Sequence, residues 1–233
     1  MSCFVLVHGS FQGGWIWQPT ARLLAAAGHA VYTPTLEGCA ERRHALRPGI
    51  SVSSAAGELA DLLFFEDLQE VVLAGTSSGG MVVQKLASLA PERIAKLVFI
   101  DALVPMPGES VTDIVQRQPG AAPYARTELA RGPSREQLAS GLFADLQGEQ
   151  LEWALDRATM HPIGLSDHAP GELDAFWAAS WSVTVARCTR SPNPPESHQR
   201  RTAEHFAGRY VEIDAGHYPM LSHPRETVQA LTG

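Results

Sequence analysis

Apolar residues gather in short unbroken runs along this chain: Cys3–Val7 ("CFVLV"), Val71–Ala74 and Lys96–Ile100, which is apolar after its first residue. A strand without a polar side has no face to turn to water, so such runs predict strands covered on both faces. Between them the apolar spacing becomes helical. A helix is predicted over Trp17–Ala27, with Leu23 and Leu24 turned inward and Gly28 as its stop. His29–Tyr32 reads as the next strand, ended by Pro34, and residues 35–50 as a polar loop. Ser53–Phe65 reads as a helix capped by Ser54 ahead of Leu59, Leu62 and Leu63. A further helix over Gly79–Ala90 stops before Pro91. Short strands alternating with helices predict an α/β fold built on a mostly parallel sheet.

The rhythm breaks over residues 105–180, which are rich in Pro and Gly. Three helices are predicted there, near 134–146, 149–158 and 171–179, and no buried strand. The segment is expected to be a helical cap inserted into a core formed by residues 1–104 and 181–233. The α/β pattern resumes with a strand at Ser182–Ala186 and a helix over Glu196–Phe206. A strand at Arg209–Ile213 and a helix over Pro224–Leu231 follow.

Composition narrows the function classes. With 233 residues, 45% hydrophobic and 18% charged, the chain suits one large soluble globular domain. A net charge of −7 argues against a nucleic-acid partner, which a basic surface would meet. No run approaches the ~20 apolar residues of a membrane span, so no membrane partner is expected. No basic segment precedes the first strand, so a cytoplasmic location is expected. Cys3, Cys39 and Cys188 are odd in number and lack metal-ligand spacing. Free thiols in a reducing compartment are expected, and no metal or cofactor. Lysines are confined to Lys85 and Lys96 in an Ala/Arg-rich chain, which suggests a bacterial source. The oligomeric state is not legible, and a dimer stays open.

The chemistry-bearing pattern is "VVLAGTSSGG", residues 71–80. Gly75-Thr76-Ser77-Ser78-Gly79 fits the G-x-S-x-G turn between a strand and a helix. Glycines two residues either side of a serine let the backbone turn sharply and hold the hydroxyl at the carboxyl edge of the sheet. Framing Ser78 instead would put Thr76 where the first glycine is needed, so Ser77 is the candidate nucleophile. Ser78 then offers a backbone N–H to an oxyanion, at the start of the following helix. A second donor is expected from the backbone of Ser10, after the first strand in "HGSFQGGW". His8 is expected to order that loop rather than to titrate.

A general base is expected after the last strand, where "VEIDAGHYPMLSHP" supplies His217. His223 reads as a surface or capping residue, and His44 and His161 as solvated or packing groups that could line the pocket. For the orienting acid, "VARCTRSPNPPE" after the next-to-last strand offers only the distant Glu196. Asp101 closes the apolar strand "LVFIDALVP" instead, where a carboxylate needs a partner that an imidazole N–H can be. Asp214 is the runner-up.

The stretches "FVLVHGSFQGGWIW", "TPTLEGCAERRH", "VVLAGTSSGGMV", "LVFIDALVPMPGES" and "DAGHYPMLSHP" resemble the α/β-hydrolase superfamily over the whole chain. More narrowly they resemble its group of plant methyl esterases, hydroxynitrile lyases and bacterial pyrethroid-hydrolase-like esterases. The resemblance implies the α/β-hydrolase fold and a serine-hydrolase triad. Two departures stand out. The plant esterases carry their acid at the position of Ser191, so Asp101 instead matches the placement in some haloalkane dehalogenases, which use an aspartate nucleophile where this chain has Ser77. Hydroxynitrile lyases carry a lysine after the histidine, where this chain has Tyr218, which argues against cyanogenesis.

The expectation is therefore a serine hydrolase that cleaves a carboxylic ester, thioester or lactone of a small to medium hydrophobic substrate. Phe143, Trp153, Met160 and Trp177 in the cap fit that substrate size, although each alone reads more readily as cap core than as pocket wall. Two alternatives remain open on the sequence: a cyclase, acyltransferase or C–C lyase using the same triad, and a non-catalytic small-molecule-binding protein.

Overall fold

The computed structural model describes residues 1–116, 120 and 122–233. Four strands come first: β1 (Cys3–Val7), β2 (Ala30–Tyr32), β3 (Val71–Ser77) and β4 (Ile94–Ala102). Helices α1 (Gln18–Ala26), α2 (Val52–Phe65) and α3 (Gly79–Leu89) connect them. Between β4 and the next strand of the same sheet lie α4 (Val111–Ile114), β5 (Ala125–Arg126), β6 (Ala130–Gly132), α5 (Arg135–Ser140), α6 (Gly148–Leu155), β7 (His161–Pro162) and α7 (Asp174–Trp177). The chain ends through β8 (Val183–Cys188), α8 (Glu196–His205), β9 (Arg209–Ile213), α9 (Pro219–Ser222) and α10 (Pro224–Thr232).

The main sheet has the order β2-β1-β3-β4-β8-β9, and every pairing in it is parallel. Successive strand residues point to opposite faces, and both faces here are apolar. Val5, Val7, Leu73, Leu97 and Phe99 join one cluster with the inner sides of α2 and α3. Phe4, Leu6, Ala74, Val98 and Ile100 join another with Leu24 of α1 and Leu231 of α10. This double burial is why the strands read as unbroken apolar runs.

Several expected details move. The cap of α2 is Ser51, whose hydroxyl accepts the Ser54 N–H at 3.1 Å, while Ser54 accepts the Ser51 N–H at 2.8 Å. Ser54 is thus the third residue of a reciprocal capping box, and the helix starts two residues before it. Residues 105–180 hold a small antiparallel sheet, β5-β6-β7, and its β6 and β7 are largely buried where no buried strand was expected. Strands of two or three residues are too short to print a period of two. The first expected helix stops at Ser140, followed by Gly141, and the third contracts to Asp174–Trp177. Trp177 is core: it stacks on Phe206 and packs against Phe176 beside α3 and α8. Among the described residues no helix is long and apolar enough to cross a membrane.

Candidate active site

The end of β3 turns sharply into α3. Ser77 adopts φ +52°, a left-handed conformation that an L-residue holds only when its surroundings enforce it. The enforcement comes from close packing that glycine alone permits. A Cβ on Gly75 would lie 2.7 Å from Val83 Cγ2, and one on Gly79 would lie 2.4 Å from the His8 carbonyl oxygen. The loop after β1 therefore rests directly on this turn. Ser10 and Ser78 join across the contact, Oγ to Oγ at 2.9 Å. The backbone N–H of neither serine is spent on a turn or loop hydrogen bond among the described residues.

Asp101 also has a left-handed backbone, φ +45°, and its side chain is fully buried at the carboxyl end of β4. Its Oδ2 lies 2.6 Å from His217 Nδ1. Its Oδ1 accepts the Gln199 side-chain amide at 2.8 Å and the Cys188 N–H at 3.3 Å. The carboxylate thus faces three donors, the compensation that a buried charge requires. His217 sits in the loop after β9 and is 8% exposed. Nδ1 carries its hydrogen bonds, to Asp101 and at 3.4 Å to Ser191, and among the described residues Nε2 makes none. No hydrogen bond joins Ser77 to His217 in this resting arrangement; such contacts commonly close only with substrate bound.

The other weighed residues lie elsewhere. Asp214 is solvent-facing, near Thr189 and Arg190. His223 precedes α10 and accepts the Thr227 N–H through its carbonyl. His44 is exposed. His8 is fully buried: its Nε2 accepts the Leu36 N–H at 3.0 Å, and its Nδ1 lies 2.8 Å from the Gly9 carbonyl. Desolvation holds its pKa down at about 4, so it stays neutral and ties the loop to the chain after β2. His161 is buried beside Phe11 and Cys39, and desolvation lowers its pKa to about 3.

Sequence reasoning missed four groups. Gln199 comes from the buried side of α8, where nothing in its local pattern marks it. Tyr218 was weighed only as a missing lysine. Its ring is fully buried, 4.4 Å from that of His217, and its hydroxyl neighbours Ser77 and Gln12. Burial pushes its pKa well above the usual phenol range. Among the described residues, neither that hydroxyl nor either Gln12 amide atom meets well-formed hydrogen-bond geometry. Asp145, between α5 and α6, reaches the His217 loop from outside the sheet.

A sequence profile described as the alpha/beta hydrolase family matches residues 4–230. The carbendazim hydrolyzing esterase of Nocardioides sp. (strain SG-4G) is 37% identical over 117 residues, which are 50% of this chain and 48% of that esterase. This match spans about half the length of that relative. Polyneuridine aldehyde esterase of Rauvolfia serpentina is 28% identical over 98% of this chain and 93% of its own. Among solved structures, an extracellular alpha/beta-hydrolase from a Paenibacillus species superposes with a TM-score of 0.84. It covers 99% of this chain and 98% of its own at 21% identity, a likeness of fold.

Proposed function

The chain belongs to the alpha/beta hydrolase family and is an enzyme of it; on that premise we propose that it hydrolyses a carboxylic ester, thioester or lactone of a small to medium hydrophobic substrate. The observation that carries this reading is the buried Asp101–His217 pair at 2.6 Å, with Ser77 in a left-handed turn at the end of the strand paired with that of Asp101. Relatives whose names include esterase point the same way.

In this mechanism Ser77 attacks the carbonyl carbon while His217 Nε2 takes its proton. Asp101 holds the Nδ1–H tautomer and stabilises the imidazolium. The backbone N–H groups of Ser10 and Ser78 receive the oxyanion; losing one such donor costs about 3 kcal/mol in acyl-transfer enzymes. His217 returns the proton to the leaving alcohol, and water then cleaves the acyl-enzyme through the same base. The reaction needs neither metal nor cofactor. Residues 105–180 act as the cap over a core of 1–104 and 181–233, supported by contacts from Phe143, Asp145 and Gln150 to the His217 loop and the short helix that follows it. Three free thiols, two of them buried, support a reducing, cytoplasmic setting.

The test is covalent labelling with a fluorophosphonate, read by intact mass, alongside a panel of short and long acyl esters, thioesters and lactones. Labelling that Ser77→Ala abolishes, together with turnover of panel members, is expected. Labelling without any hydrolysis would favour the cyclase, transferase or lyase alternative. Tight small-molecule binding without turnover would favour a binding protein.

A further inference from the structure

The loop that carries His217 is gripped from the segment between β4 and β8. Asp145 Oδ2 accepts the Gly216 N–H at 2.9 Å and the Ser222 hydroxyl at 2.7 Å. Those two donors bracket His217 in the chain, so a single carboxylate oxygen pins both ends of the turn on which the imidazole stands. The grip is close: a Cβ on Gly216 would lie 2.5 Å from Asp145 Cγ. Two neighbours reinforce it. Gln150 Nε2 donates to the Leu221 carbonyl at 2.8 Å, and the Phe143 ring lies 5.6 Å from that of Tyr218. Among the described residues the other oxygen of Asp145 is buried with no hydrogen-bond partner, and the carboxylate's hydrogen bonds go to this loop.

We infer that Asp145 is a positioning residue for His217, fixing the height and tilt of the imidazole from the cap side while Asp101 fixes it from the sheet side. This rests on the reading of His217 as the general base. Asp101 and Ser191 both meet the same ring nitrogen, so their contacts fix that atom and leave the ring's tilt to the backbone that carries it. The loop backbone must be held as well, and Gly216 next to the histidine gives it little stiffness of its own. A displacement of about 1 Å at a reacting group can cost roughly a hundredfold in rate. The same arrangement couples the cap to catalysis: moving residues 143–150 away would release the base loop, and seating them would restore it.

Asp145→Ala and Asp145→Asn separate position from charge. An asparagine still offers one oxygen to Gly216 and Ser222, whereas alanine offers none. For the best ester of the panel, Asp145→Ala is expected to lower kcat by tenfold or more with KM changed less than threefold. Asp145→Asn is expected to keep at least a third of kcat. Ser222→Ala, which removes one of the two bonds, is expected to fall between them. The second readout does not depend on turnover: the His217 ring resonances in NMR spectra, single and sharp in the wild type and Asp145→Asn, and broadened or doubled in Asp145→Ala. An Asp145→Ala protein with wild-type kcat and a single sharp His217 signal overturns the inference. So does an Asp145→Asn protein as impaired as Asp145→Ala, which would make the charge the operative property. A wild type that turns over no ester but shows the expected NMR contrast would sink the esterase reading and leave the positioning role standing.

Discussion

Asp101 and His217 lie 116 positions apart in the chain and 2.6 Å apart in the fold, joined at the carboxyl edge of the sheet between β4 and the loop after β9. Because Asp101 has the Gln199 amide and the Cys188 N–H on its other oxygen, neutralising it need not collapse its surroundings. Asp101→Asn is expected to lower kcat by about 10⁴-fold through the wrong imidazole tautomer. Its circular dichroism should stay that of the wild type. Asp214→Asn, at an exposed site, is expected to change kcat less than twofold. Steady-state kinetics on one activated ester distinguish the two.

Ser191 Oγ stands 3.4 Å from the same Nδ1, in the loop after β8. A carboxylate there would reach the imidazole from a second direction. The double variant Asp101→Asn/Ser191→Asp is expected to recover at least tenfold of the kcat lost in Asp101→Asn alone. No recovery would mean that the loop after β8 holds a side chain at this position in an orientation unfit for the task.

Three buried histidines give the fold a pH dependence with a definite sign. Desolvation lowers His8 to about 4, His198 to about 4 and His161 to about 3, against an ordinary value of 6.5. The unfolded chain therefore binds protons first as pH falls. Their contribution is fully present above pH 6.5, erodes below it and is gone under the folded values. The size is on the order of 3 kcal/mol per histidine. Urea midpoints should be flat from pH 8 to 7 and drop steeply between pH 6 and 4. His161→Gln or His8→Gln should flatten that drop, whatever it does to the stability at pH 8.

How far the chain could be read in advance follows from what each element is made of. β1, β3 and β4 are buried on both faces and print unbroken apolar runs, so the parallel sheet was legible from them. Gly75 and Gly79 were legible too, because their neighbours leave no room for a side chain. Asp101 stood out as a charge at the end of an apolar strand. Gln199 and Asp145 did not, since each acts at a distance through a polar side chain in a segment whose local pattern says only helix or loop. Ser51 lost its capping role to Ser54 in the sequence reading because both are serines and only the helix start separates them. The strands β5 to β7 pair over two or three residues, too few to leave a signature.

Among the described residues β9 is an edge strand: it pairs with β8 alone, and its end launches the loop that bears His217. Ser77 sits on β3, inside the sheet, and Asp101 on β4 beside it. Edges fray at lower free energy than interiors. A single peripheral strand that peels away and returns would carry off His217 while Ser77 and its glycine frame stay intact. Heat or mild denaturant should then silence the enzyme before the far-ultraviolet signal of the sheet changes. Its working lifetime would be set at the rim of the molecule rather than at its core.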